Sequence, residues 1–180
     1  PVVLHRDGTL RVEMRFDDRL EAAVDPSWPP RRIDLGIYVP ESLASSIRTA
    51  DGSIELEGLM ANAELETVAG DIDFEGRGGL VALSQSGNVR AQFRRSGWAQ
   101  PVSIESRTGN IRVELLEGAK ASLTFETRAA ITTDFSVEIE RARGSVLKRG
   151  RAEIGGGGQS MSLVTNRGAI RLIAVIVPEE

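Results

Sequence analysis

Ser46-Ile47-Arg48-Thr49-Ala50-Asp51-Gly52-Ser53-Ile54-Glu55-Leu56 is followed by Glu64-Leu65-Glu66-Thr67-Val68-Ala69-Gly70-Asp71-Ile72-Asp73-Phe74. Each stretch is an alternating strand, then Thr-x-x-Gly, then a second alternating strand. Further copies surround Gly87, Gly109 and Gly168, and a worn copy lies near Ala130. A period of about twenty residues marks stacked units, each too small to bury its apolar face alone.

Aligned on their glycines, the copies agree position by position. Two residues after the Gly stand Ile54, Ile72, Val89, Ile111 and Ile170. Four after stand Leu56, Phe74, Ala91, Val113 and Leu172, and five before stand Ile47, Leu65, Ala82, Ile104 and Leu163. One apolar face per strand produces this alternation. The apolar offsets are odd before the Gly and even after it, so the phase switches and the chain bends there. Thr49, Thr67, Ser84, Ser106 and Thr165 stand three before the Gly, where a hydroxyl can satisfy backbone groups freed by the bend. The Gly is expected to supply a positive φ. Five copies of one hydroxyl also exclude its reading as a catalytic nucleophile.

The first four glycines are 18, 17 and 22 residues apart. That suits one turn of a parallel β-helix, whose equivalent residues stack in columns about 4.8 Å apart. The competing arrangement is a β-meander with each Thr-x-x-Gly as a hairpin turn. It accounts for the alternation but not for columns recurring on every second strand. The fold expected is therefore all-β: a single-domain parallel β-helix of about 17–22 residues per turn, over residues 46–180. Residues 1–45 would supply N-terminal strands that pack on or cap the repeats. Two are readable: Thr9 to Phe16, preceded by an Asp7-Gly8 turn, and Ile33 to Val39, closed by Pro40. The Pro-rich loop Asp25 to Pro30 separates them.

Other stretches are less regular. Leu80-Val81-Ala82-Leu83 is apolar on both faces, and the segment after it carries Phe93 and Trp98, so a cover over the outer face is expected. Ala121 to Phe135 is a decayed copy with Ala129-Ala130 in place of Gly. Glu138 to Arg151 is Arg-rich and reads as an exposed hairpin or loop. A polyanion site is the sharper alternative, weakened by Glu138, Glu140 and Glu153. Gly155 to Gly158 is followed by neither Lys-Ser/Thr nor a helix, so it reads as a turn rather than a phosphate loop. Ala169 to Val177 is apolar on both faces and would close the fold. Such an end strand needs cover, from the chain's own N-terminal strands or from a second molecule.

Composition narrows the function. Of the 180 residues 41% are hydrophobic and 27% charged, and the net charge of −4 argues against a nucleic-acid surface. With no Cys there is no disulfide, thiolate metal site or thiol nucleophile. The longest apolar run, Leu172 to Val177, is too short for a membrane span. The chain opens at Pro1, as removal of a targeting segment would leave it. Asp71, Asp73 and Glu75 suggest calcium only weakly, because they alternate along one strand instead of forming a calcium loop. The one His, His5, lies outside the repeats. No catalytic, cofactor-binding or metal-ligating residue is singled out, and no cofactor is expected.

The chain resembles a bacterial family of β-strand-repeat proteins labelled adhesins, a domain of unknown function. The resemblance rests on Ile37-Tyr38-Val39-Pro40-Glu41, Thr67-Val68-Ala69-Gly70-Asp71-Ile72, Ser106-Arg107-Thr108-Gly109-Asn110-Ile111 and Thr165-Asn166-Arg167-Gly168-Ala169-Ile170. It implies a β-helical, exported or envelope-associated protein with no catalytic motif. Three functions follow as expectations. The first is a non-catalytic envelope or surface module that binds an envelope polymer or serves as a spacer. The second is a scaffold that self-associates through its terminal strands, and the third a polysaccharide-cleaving enzyme on a β-helix.

Overall fold

A computed structural model describes residues 2–6, 9–13, 34–95 and 97–176, the first two stretches by backbone pairing alone. The chain divides into two compact units, Pro1–Tyr38 and Val39–Glu180. In the first, β1 (Val2–Arg6) pairs antiparallel with β2 (Thr9–Glu13). The expected turn at Asp7-Gly8 and the Pro-rich loop lie outside the described residues. Over 34–40 the expected strand is not formed: Leu35 and Ile37 are exposed and no ladder pairs them. Alternation alone does not make a strand, which also needs a ladder partner for its backbone groups.

The second unit is all β among its described residues. Its repeats are strand pairs: β3 (Ser45–Asp51) with β4 (Ile54–Leu59), β5 (Ala63–Ala69) with β6 (Ile72–Gly76), and β7 (Leu80–Ser84) with β8 (Val89–Phe93). Then come β9 (Val102–Ser106) with β10 (Ile111–Leu116), and β11 (Ala121–Thr127) with β12 (Ile131–Thr133). A hairpin of β13 (Glu138–Glu140) and β14 (Lys148–Ile154) follows, and β15 (Gln159–Thr165) with β16 (Ile170–Val175) ends the fold.

The two strands of a repeat enter different sheets, so each Thr-x-x-Gly is a corner between sheets and not a hairpin turn. The eight-stranded sheet runs β13-β14-β11-β15-β9-β7-β5-β3, and the six-stranded sheet runs β12-β16-β10-β8-β6-β4. All pairings in them are parallel except β11 with β14 and β13 with β14. This rules out the meander.

The columns read from the sequence are the observed registers. Ile54, Ile72, Val89, Ile111, Ile170 and Ile131 are successive partners in one sheet. Ile47, Leu65, Ala82, Ile104, Leu163 and Phe125 are successive partners in the other. Both columns face the core between the sheets. The end members Ile47 and Ile131 are only partly buried, whereas Ile54 at the other end of its column is buried.

At every corner but the first, where Thr49 bonds only Asp51 of its own turn, the hydroxyl reaches a neighbouring repeat. Ser106 Oγ accepts from the Gly109 N–H at 2.9 Å and donates to the Gly87 carbonyl, one repeat below, at 2.8 Å. Ser84 and Thr165 do the same with their own neighbours. The glycines differ from the expectation. Gly52 and Gly70 have positive φ, but Gly87, Gly109 and Gly168 do not. What these three share with Gly70 is a lack of room: a Cβ on any of them would overlap the carbonyl of the glycine one repeat below. A second ladder runs beside them, in which the Asp71, Asn88 and Asn110 side chains accept the backbone N–H groups of Asn88, Asn110 and Ala169.

Two further expectations are corrected. No described residue covers the outer face of the third repeat at Val81, which is 47% exposed. Phe93 and Trp98 instead fold inward, their rings 4.8 Å apart with Phe74 beyond, and fill the core opposite the corner. The apolar final strand is not terminal in space. β16 lies between β10 and β12, and β15 between β9 and β11. Two parallel neighbours bury both its edges, so neither the N-terminal strands nor a second molecule is needed to pair it.

Candidate functional site

The outer face of the eight-stranded sheet carries two adjoining grooves at its β14 end. One, of about 320 Å³, is lined by Thr124, Glu126, Glu140, Arg149, Arg151, Ser162 and Val164, among others. The other, of about 230 Å³, is lined by Glu105, Arg107, Glu126, Arg128, Leu147, Val164 and Asn166, among others. Glu126 and Val164 line both, so the two form one track. The track exists because β14 runs antiparallel on the edge of β11 and raises Arg149 and Arg151 beside the flat parallel face. Gly150, between them, takes no Cβ because the Phe125 ring fills that space from the core side.

Charge in the track is largely compensated within it. Arg149 Nε donates to Glu126 at 2.7 Å, and Arg151 meets Glu138 at 3.0 Å and Glu140 at 3.5 Å. These hydrogen bonds push both guanidinium groups further above their usual range. Arg128 bonds the Asn166 side chain. Arg107 forms no ion pair among the described residues. The expected exposed hairpin over Glu138 to Arg151 is therefore present as β13 and β14. Its polyanion alternative is weakened, because its glutamates lie in register with its arginines: Glu138 opposite Arg151 and Glu140 opposite Arg149.

The outer face of the six-stranded sheet is a lattice of charge. Arg90 meets Asp73 at 3.7 Å and Glu114 at 3.2 Å, Arg112 meets Glu114 at 2.8 Å, and Arg94 meets Glu75 at 2.9 Å. In the column of Glu55, Asp73, Arg90, Arg112 and Arg171, the arginines Arg90 and Arg112 are relieved by Glu114 of the column beside it, and Asp73 by Arg90 of its own column. Asp71, Asp73 and Glu75 do not converge on a point. Asp71 accepts from Asn88, Asp73 faces Arg90, and Glu75 holds Arg94. Among the described residues no group of three or more His, Asp or Glu is placed to hold a metal ion. The His5 side chain lies outside the described residues.

Residues 41–172 match the family described as Toastrack DUF4097. The chain belongs to that family. No curated protein and no solved structure matches it. The Toastrack DUF4097 match begins in the turn before β3 and ends within β16, so it includes the final strand pair that enters the stack out of chain order. The family is one of unknown function, and membership carries a β-repeat fold without carrying adhesion. The Arg-rich stretch Glu138 to Arg151 supplies one wall of the track, through Glu140, Arg149 and Arg151. The rest was not singled out in the sequence, where its signal was Thr124, Glu126 and Arg128, outward positions of a copy otherwise set aside as decayed.

Proposed function

We propose that this Toastrack DUF4097 chain is a non-catalytic, extracytoplasmic β-repeat module built as a two-sheet parallel β-helix. It binds an extended, polyhydroxylated envelope polymer along the track on its eight-stranded sheet. The observation that carries this is the continuity of the two grooves through Glu126 and Val164. The track offers hydroxyl, amide and guanidinium groups on rigid strands, which suit hydroxyl and carboxylate groups of a glycan. It presents no aromatic platform, so each contact is weak and affinity comes from length. Glu126 and Glu140 are engaged by arginines, which supports binding over acid–base cleavage.

The test is titration of the chain with neutral and uronate-containing polysaccharides, followed by amide chemical shifts. Shifts confined to β9, β11, β14 and β15, weakened in Arg107→Ala and Arg149→Ala, are expected. Reducing ends should not accumulate in the same mixtures. Turnover abolished by Glu126→Gln would replace this reading with an enzymatic one, and the absence of shifts with any polymer would remove it.

A further inference from the structure

We infer that the last strand pair, Gln159–Val175, is an exchangeable element, and that the slot it fills accepts the same segment from a second copy of this chain. The geometry points to this through the order of the strands. The pair β15–β16 is made last in sequence but stands next to last in the stack. It separates β9–β10 from β11–β12, which are already joined by the short connection 117–120. Without it those two repeats would face each other across a gap of one strand, about 9.6 Å. Four ladders would then be unpaired, and Met161, Leu163, Ile170 and Leu172, all fully buried in place, would leave the core open.

The slot is specific in its hydrogen bonds as well as its width. From below, the Gly109 carbonyl accepts from Thr165 Oγ1 at 2.9 Å and Asn110 Oδ1 accepts from the Ala169 N–H at 2.8 Å. From above, Thr127 Oγ1 donates to the Gly168 carbonyl at 2.7 Å. An occupant must therefore bring a hydroxyl, then a glycine three residues on, then an apolar strand. The segment Gln159–Val175 of another copy meets every one of these requirements by identity.

The hinge is Gly155–Gly158. Ile154 and Gln159 flank Ala121 on opposite sides, so these four residues carry the chain over the start of β11. Gly155, Gly156 and Gly157 have positive φ, and a Cβ on Gly155 or Gly158 would overlap the carbonyls of Ala119 and Lys120. The crossing is a tight constraint on insertion within a single chain. It disappears when the segment enters a partner, so obstruction of the crossing favours exchange.

The chain has no Cys, so engineered thiols report without background. Ser103 and Ser162 are ladder partners on the outer face. Full-length Ser103→Cys and Ser162→Cys single variants are mixed, held in mild urea to open the slot, returned to buffer and oxidised. A disulfide-linked heterodimer is expected, well above the level from a Ser46→Cys and Ser162→Cys mixture, whose thiols lie on distant strands. Adding Gly158→Val to both single variants should raise the linked fraction several-fold. A linked fraction equal to the Ser46→Cys control, in a preparation where the Ser103→Cys/Ser162→Cys double variant closes fully within one chain, overturns the inference. If Gly158→Val does not fold, the single-variant mixture still decides.

Discussion

Thr127 precedes Gly168 by 41 residues, yet its hydroxyl donates to the Gly168 carbonyl at 2.7 Å. In the first repeats the same bond reaches back instead, from Thr67 to Gly52 at 3.0 Å and from Ser84 to Gly70 at 3.2 Å. One chemical unit thus serves neighbours supplied in either chain order. The hydroxyl column, not the sequence of the repeats, holds the corners in line. It joins backbone groups that the bend withdraws from both sheets, in a place from which water is excluded.

Ser106 is the test of that column. Ser106→Ala leaves the Gly109 N–H and the Gly87 carbonyl without their partner in a buried site. A loss of about 1–3 kcal/mol is expected. Ser106→Thr should recover most of it, because Thr165 makes both bonds at the equivalent position. Urea unfolding of the three proteins measures the difference.

The glycine column should be less forgiving. A Cβ at Gly87 has no side chain to displace, only the Gly70 carbonyl and the backbone after it. Gly87→Ala should cost about 4 kcal/mol or prevent folding, at the upper limit of single substitutions. Gly97, with nothing near its Cβ direction, is the control, and Gly97→Ala should change the midpoint little. Thermal unfolding of the pair separates close approach from a general intolerance of alanine.

Core and outer positions of neighbouring strands in the chain should part in the same way. Ile72 is 1% exposed and stacks between Ile54 and Val89. Ile72→Ala should cost about 2–5 kcal/mol. Val81→Lys, on the open face of the eight-stranded sheet, should stay within about 0.5 kcal/mol of the parent. A large loss at Val81 would mean that its face is covered in solution.

The columns were legible because a parallel stack repeats its offsets: Ile54 to Ile170 could be aligned without knowing a single contact. Order in the stack was not legible. The segment Thr165 to Ile170 has the same local pattern at any level, so its place between two earlier repeats is set by long-range pairing. The hint was Ala169 to Val177, apolar on both faces, read as an end strand in need of cover when its place was already between two strands. The strand-like alternation of Ile33 to Val39 misled for a related reason. Periodicity reports which face would be buried, not whether a neighbour exists. The candidate track was hidden more deeply, because it is assembled from β9, β11, β14 and β15, and no one of them carries a motif.

The six-stranded face gives opposite pH signatures at two adjacent acids. Burial, with Glu55, Glu114 and Glu75 nearby, pushes the Asp73 carboxyl above its usual range, although Arg90 pulls it down. The folded state then binds this proton more tightly than the unfolded chain. Its contribution is fully present below the ordinary carboxylate range and is lost as pH rises through the folded value. Glu75 is the reverse. The hydrogen bond from Arg94 holds its carboxyl low, so its contribution is present above the ordinary range and is lost as pH falls through the folded value. Asp73→Asn should therefore slightly exceed the parent at neutral pH, by about 0.5 kcal/mol or less for so exposed a group, and converge on it in acid. Glu75→Gln should be the weaker protein at neutral pH and converge on the parent in acid. Urea midpoints of the three proteins, followed from about pH 3 to pH 7 across the carboxylate range, give the two slopes. A Glu75→Gln difference with the same sign as that of Asp73→Asn, whose carboxyl is raised, would show that the Arg94–Glu75 pair does not persist in solution.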